Sequence, residues 1–310
     1  MHKGGAACPD AGMPAMHRGR FDMAEFDEEA VRNDVDKVFG NRPKHEGPER
    51  FQTNAHSSVK HVIGVISGKG GVGKSLVCGI LATELRRRGH KVGVLDADIT
   101  GPSIPKMFGL SGQRAYGQSD MIIAPESKAG VKIMSTNLIL ENENDPVLWR
   151  GPMLMGAIKQ FYEDTLWEDI DYLLVDMPPG TGDVALTVFQ SLPIEGVVIV
   201  SSPQDLVQVI VGKAIKMAEM MKVPVLGVVE NMSYMECPDC GRRLEPFGPS
   251  HLSEIVDEFG VADLGRIPID PAVAASCDDG TFESVVPEGL IPEAVAAVEA
   301  AGAPSATVEG

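Results

Sequence analysis

The chain has 310 residues, of which 27 are Lys or Arg and 44 are Asp or Glu, giving a formal net charge of −17. That balance argues against a general nucleic-acid binder, which needs a basic face to neutralise phosphates, though it leaves room for a local basic site. Hydrophobic residues make up 44%, enough for one large domain or two small ones. No apolar run approaches the roughly 18 residues of a membrane span. The N-terminal stretch MHKGGAACPDAGMPAMHRGR lacks the apolar segment of a secretory signal, so the expected location is cytoplasmic.

Residues 1–57 are dominated by Gly, Pro, His and charged side chains and show no strand pattern. They are expected to form a flexible acidic arm carrying one docking helix within Phe21–Phe39, where Phe26, Val31, Val35, Val38 and Phe39 roughly share a face. From Val59 the pattern changes. Apolar runs recur at 61–67, 91–98, 131–135, 171–177, 196–202 and 223–231, and they read as strands buried on both faces. Helical stretches separate them. Lys74–Arg88 has Val77, Ile80, Leu81 and Leu85 on one face, with Gly89 placed to end it. Met153–Trp167, Asp205–Met221, Ser250–Phe259 and the alanine-rich Pro292–Ala301 follow. Strands alternating with helices predict an α/β fold, a mostly parallel sheet covered on both sides, spanning 58–301 and followed by a polar tail at 302–310.

The segment Gly68-Lys69-Gly70-Gly71-Val72-Gly73-Lys74-Ser75 fits the P-loop pattern G-x-x-x-x-G-K-[ST], and it joins a strand to a helix as that pattern requires. Glycines let backbone N–H groups wrap a phosphate at the positive end of a helix. Lys74 is expected to reach the β- and γ-phosphates and the Ser75 hydroxyl to ligate Mg²⁺. Asp96-Ala97-Asp98 stands at the end of the next strand, where ligands bind in such folds, although either carboxylate also suits a cap. Asp96 is a candidate for a Mg²⁺-bound water. Asp176 ends a Walker B-like strand and is placed near Mg²⁺ through water. In the following segment 178–183, Gly180 is a candidate γ-phosphate sensor, because glycine permits close approach.

Lys69, a second lysine just after the first glycine, resembles the signature lysine of the deviant Walker A ATPases, relatives of MinD and the nitrogenase iron protein. That resemblance implies a lysine reaching across a dimer interface to the partner's nucleotide, acting on transition-state charge as an arginine finger does. It also gives Asp98 the part of orienting the attacking water. Within the group, GKGGVGKS, DADITGPSIPKMFG, WRGPM (149–153), DYLLVDMPPGTGDVALT, SSPQD, ENMSYMECPDCG and IPIDP resemble the Mrp or ApbC-like iron–sulfur cluster carriers, over about His61 to Phe282. The resemblance implies a homodimeric ATPase that takes a 4Fe–4S cluster from an upstream donor and passes it to apo-proteins. It implies that Asn231 reads adenine and that the 267–271 loop flanks the base. Leu76 and Thr100 depart from the family pattern, and the N-terminal four-cysteine motif of some members is absent.

Five cysteines make no disulfide framework, and only Cys237 and Cys240 lie close together. On its own the Cys237-Pro238-Asp239-Cys240 spacing suits structural zinc, a redox dithiol or a cluster, with zinc ahead. The family resemblance favours the cluster. One pair supplies two thiolates, and two copies about a two-fold axis supply four. Cys78 reads as core packing, Cys277 as structural, and Cys8, with His2 and His17, as a tail residue, since isolated tail residues seldom make a metal site. The tail after Arg266 holds no Lys, Arg or His, which disfavours a membrane-cycling MinD- or ParA-type positioning ATPase. A zinc-stapled nucleotide switch is the other alternative. No nucleic-acid or membrane partner is expected.

Overall fold

The computed structural model describes residues 50–99, 101–140, 151–203 and 207–302. All of them lie in the compact unit Gly47–Gly310, whereas the unit Met1–Glu46 falls outside the described residues. The expected N-terminal helix, Cys8, Thr100, Trp149, Arg150 and Asp205 are therefore also outside them.

In chain order the strands are β1 (Ser58–Ile66), β2 (Val92–Asp96), β3 (Tyr116–Gln118), β4 (Met121–Ile123), β5 (Lys132–Met134), β6 (Asp169–Asp176), β7 (Gly196–Ser201), β8 (Val225–Glu230), β9 (Met235–Glu236), β10 (Arg243–Leu244) and β11 (Asp263–Arg266). The helices are α1 (Lys74–Arg87), α2 (Ile104–Met107), α3 (Gly151–Glu163), α4 (Asp183–Ser191), α5 (Val207–Met220), α6 (Leu252–Phe259), α7 (Pro271–Asp279), α8 (Phe282–Val285) and α9 (Pro292–Ala301). Seven strands form one parallel sheet in the order β11-β8-β7-β1-β6-β2-β5. β3–β4 and β9–β10 are separate antiparallel hairpins.

The apolar runs are continuous because both sheet faces are covered. On β1, Val62 and Ile66 enter one core while Ile63 and Val65 enter the other. β7 repeats the alternation, with Val197 and Ile199 on the first side and Val198 and Val200 on the second. The first core takes side chains from α3, α4, α5 and α6, and the second from α1, α2 and α9. Complete burial of one such aliphatic side chain is worth about 1.5–3 kcal/mol, so this two-sided pattern fixes strand register strongly.

Helix α1 keeps its expected span to within a residue, and Gly89, at φ 93°, leaves the helix through a left-handed turn. Helix α3 stops at Glu163, short of the expected Trp167. Asn54 supplies the reason: its amide donates to the Glu163 carbonyl at 2.9 Å and to the Thr165 carbonyl at 2.8 Å. Those acceptors are thereby satisfied outside the helix. Trp167 instead packs fully buried, its indole N–H donating to the Tyr162 carbonyl at 3.0 Å. Among the described residues, no helix is long and apolar enough to cross a membrane.

Candidate nucleotide site and cysteine pair

The site gathers at the carboxyl ends of β1, β2, β6 and β8. Register places Val65 of β1 beside Asp176 of β6, and Asp176 beside Asp96 of β2. The loop from Ser67 to Gly73 then leads into α1 at Lys74. Gly71 and Gly73 sit at φ 81° and 83°, a backbone that side chains oppose. Two glycines are also demanded by packing. A Cβ on Gly68 would lie 2.5 Å from the Ile210 carbonyl oxygen, and one on Gly73 would lie 2.0 Å from the Asn231 amide nitrogen. That amide, 1% exposed, donates to the Val72 carbonyl at 2.9 Å.

Lys74 is buried, and its ammonium donates to Asp176 Oδ1 at 2.5 Å, with Asp98 Oδ2 at 3.6 Å. Burial works against the charge on Lys74, but the charge and hydrogen bond of Asp176 outweigh it and raise the pKa. The Ser75 hydroxyl donates to the other Asp176 oxygen at 2.5 Å. One carboxylate thus links the P-loop lysine to the hydroxyl expected at Mg²⁺. These oxygens fit a hard divalent cation that takes its remaining ligands from phosphate and water.

Asp96 lies behind them, fully buried. It accepts the Asp98 N–H at 3.2 Å and the Ser135 hydroxyl at 3.2 Å. Burial, followed by the nearby Asp176 charge, pushes its pKa up to about 8. Gly180, at φ 83°, donates its N–H to the Ser67 carbonyl at 3.0 Å, which lays the 178–183 segment against the P-loop. Lys69 is half-buried, and its carbonyl accepts the Ser67 hydroxyl at 2.9 Å.

Two cavities meet at the loop. One, of about 350 Å³, is walled by P-loop glycines, Lys74, Ser75 and Asp98. The other, of about 340 Å³, is largely apolar and is bordered by Asn231, Met232, Ile267, Pro268 and Ile269. Gly73, Leu76 and Cys277 border both. A charged compartment joined to an apolar one matches the phosphate and base ends of a nucleotide. Cys277, expected to be structural, thus stands at the junction, while Cys78 is fully buried in the core.

Beyond β8 the chain passes Asn231 and enters the β9–β10 hairpin, whose tip is the cysteine pair. The Cys237 N–H donates to the Arg242 carbonyl at 2.9 Å, and the Gly241 N–H donates to the Cys237 carbonyl at 2.8 Å, with Gly241 at φ 68°. Hydrogen bonds from the backbone of Asp239 and Cys240, and from the Cys240 thiol, hold the Cys237 thiol below its ordinary pKa. Arg243 steadies the hairpin from below, its guanidinium 4.2 Å from the centre of the Tyr234 ring. Cys240 is exposed and Cys237 half-buried. Among the described residues, no set of three or more His, Cys, Asp or Glu side chains is arranged to hold a metal ion.

The structure therefore brings together Gly68 to Ser75, Asp96, Asp98, Asp176, Gly180 and Asn231, and it sets Cys237 and Cys240 on a separate projection. No sequence motif marks a role for Ser135, which bonds Asp96, or for Lys106, which borders the charged cavity. Ser135 closes an apolar strand with no motif of its own. Lys106 lies eight residues after Asp98 and had only its place in the DADITGPSIPKMFG segment to mark it.

This sheet order, loop and carboxylate arrangement define a P-loop NTPase. The family model described as "ParA: NUBPL iron-transfer P-loop NTPase" matches residues 58–299. An iron-sulfur cluster carrier protein from Clostridium perfringens is 48% identical over 78% of this chain and 87% of its own length. Another, from Aquifex aeolicus, is 47% identical over 72% of this chain and 61% of its own length. Among solved structures, a nucleotide-binding protein from Archaeoglobus fulgidus in complex with ADP aligns with a TM-score of 0.67 and 42% identity, covering 74% of this chain and 90% of that one. MinD from Aquifex aeolicus aligns at 0.52 with 22% identity, over 77% of this chain and 94% of that one, a likeness of fold alone. The chain belongs to the NUBPL-type iron-transfer P-loop NTPases, the family of the iron–sulfur cluster carriers.

Proposed function

We propose that the chain is a homodimeric, Mg²⁺-dependent ATPase that carries a 4Fe–4S cluster from an upstream donor to apo-proteins. The observation that carries this reading is one chain joining a two-lysine P-loop to an exposed hairpin with only two thiols. Two copies of Cys237 and Cys240 would complete a four-thiolate set for the cargo. Ser75, with Asp176 and Asp96 through water, is assigned to Mg²⁺, which supplies charge neutralisation to the phosphates. The loop backbone and Lys74 bind the phosphates, Gly180 senses the γ-phosphate, and Asn231 receives adenine beside the 267–271 loop. Lys69 acts on the partner protomer's nucleotide. The reading includes no nucleic-acid or membrane partner.

Asp98 is assigned to the attacking water, with Asp96 fixing its backbone. Asp98→Asn keeps the size of the side chain and removes the charge. It is expected to bind ATP with near wild-type affinity, to lose at least about tenfold in turnover, and to accumulate as the ATP-bound dimer. Nucleotide titration and single-turnover kinetics measure this, and loss of ATP binding would assign Asp98 to Mg²⁺ or to structure instead.

The overall reading is tested by anaerobic reconstitution of the wild-type chain followed by iron, sulfide and zinc analysis and Mössbauer spectroscopy. Four irons and four sulfides per dimer are expected. Stoichiometric zinc with no iron uptake would replace the carrier with a zinc-stapled nucleotide switch.

A further inference from the structure

A lysine outside the P-loop also borders the phosphate cavity. Lys106 lies on α2, which follows Asp98 after a short connection, and it shares the cavity wall with Lys74 and Ser75. Its ammonium donates to Asp278 Oδ1 at 2.6 Å, across to α7. The two side chains are 56% and 76% exposed.

The helices themselves are set close at their ends. A Cβ on Gly109 would lie 2.6 Å from the Gly280 carbonyl oxygen, so the backbones after α2 and α7 touch without the ion pair. The Lys106–Asp278 contact is thus not needed to dock the two elements. As an exposed pair it adds little to stability. A polyphosphate in the adjoining cavity offers several anionic oxygens to a cation on a flexible four-carbon stem. Lys74 differs, because its charge is already matched by Asp176 at 2.5 Å and Asp98 at 3.6 Å.

We infer that Lys106 is a further nucleotide-binding residue: when a nucleoside di- or triphosphate enters, its ammonium exchanges Asp278 for the polyphosphate, and Asp278 lowers affinity by competing for it. This rests on the reading of the cleft as a nucleotide site and adds a residue that the P-loop pattern does not contain. It also gives α7 two parts in that site. Val273 and Ala274 wall the apolar cavity, while Asp278 sets how much of the Lys106 charge is available to phosphate.

The experiment is calorimetric titration of Mg²⁺-ATP, Mg²⁺-ADP and adenosine into the full chain. The proteins are the wild type, Lys106→Gln, Asp278→Asn, the double variant, and Asp279→Asn as a control for a nearby charge. Lys106→Gln is expected to weaken ATP and ADP about tenfold, the scale of one charge-assisted hydrogen bond, and to leave adenosine unchanged. Asp278→Asn is expected to tighten ATP and ADP a few fold, and the double variant to match Lys106→Gln alone. Circular dichroism without nucleotide confirms that each variant is folded. Unchanged binding in Lys106→Gln overturns the inference. So does weakening in Asp278→Asn equal to that in Lys106→Gln, which would make the pair a structural latch. Equal tightening in Asp279→Asn would reduce the effect to general charge and overturn it as well. If the wild type binds no Mg²⁺-ATP, the nucleotide reading itself falls, a result distinct from the other three.

Discussion

Cys237→Ala and Cys240→Ala, each reconstituted anaerobically, are expected to hold no stoichiometric iron and to activate no apo-acceptor, while binding Mg²⁺-ATP as the wild type does. In the proposed dimer symmetry doubles the loss: one substitution removes two of the four ligands. Nucleotide binding survives because the pair stands on its own hairpin, away from Lys74, Ser75 and Asp176. The fold survives because Cys240 is exposed and the hairpin turn is held by backbone bonds between Cys237, Arg242 and Gly241. Cys78→Ala and Cys277→Ala should retain the cluster. Iron and sulfide analysis beside nucleotide titration checks all four variants. Full iron retention in Cys237→Ala would sink the bridging arrangement.

The two P-loop lysines are expected to fail differently. Lys74→Ala removes the cation from a buried network in which Asp176 also holds Ser75. Leaving that carboxylate without its partner costs about 3–5 kcal/mol in comparable sites, so productive nucleotide binding should be lost and the melting temperature should fall. Lys69→Ala leaves the network intact. It should keep ATP affinity within a few fold yet lose about a hundredfold or more in turnover, the scale set by removing one transition-state donor. A mixed dimer of Lys69→Ala and Lys74→Ala protomers sharpens the test. The Lys69→Ala protomer still binds ATP, and its partner still supplies Lys69, so turnover should partly return. Wild-type turnover in the Lys69→Ala homodimer would remove this lysine from the chemistry.

The main sheet was legible because its strands are buried on both sides and read as unbroken apolar runs. Six of its seven strands overlap runs visible in the sequence, β1 and β6 starting two or three residues before theirs. The seventh, β11, is the four-residue Asp-Leu-Gly-Arg at one edge, too short and too polar to register. Helix α4 was hidden for a related reason. Its nine residues follow directly on the Gly180–Gly182 segment and are too few to show a clear helical periodicity. Helix α7 had a usable signal, since Asp270 caps Ala272 and Val273 and Pro271 fills the first helical position. The P-loop was legible because its chemistry dictates its spacing. Ser135 and Lys106 were not, because each pairs with a residue far off in sequence, Asp96 and Asp278, and such pairings exist only once the chain has folded.

The close packing of Asn231 against Gly73 constrains the pocket proposed to receive the base. The amide nitrogen of Asn231 fills the space that a side chain at position 73 would need, and it also ties down the Val72 carbonyl. A designer who replaces Asn231 therefore alters the phosphate loop in the same stroke: a smaller residue opens a void beside the turn and a larger one pushes the turn out of shape. Under the proposed assignment of Asn231 to the base, base preference and loop geometry cannot be varied independently from that side. The wall formed by Ile267 to Ile269 is anchored away from the loop, its Ile267 N–H donating to the Glu230 carbonyl at 2.9 Å and its Ile269 N–H to the Tyr234 carbonyl at 2.6 Å. A library aimed at new base specificity belongs on that wall, with position 231 held fixed.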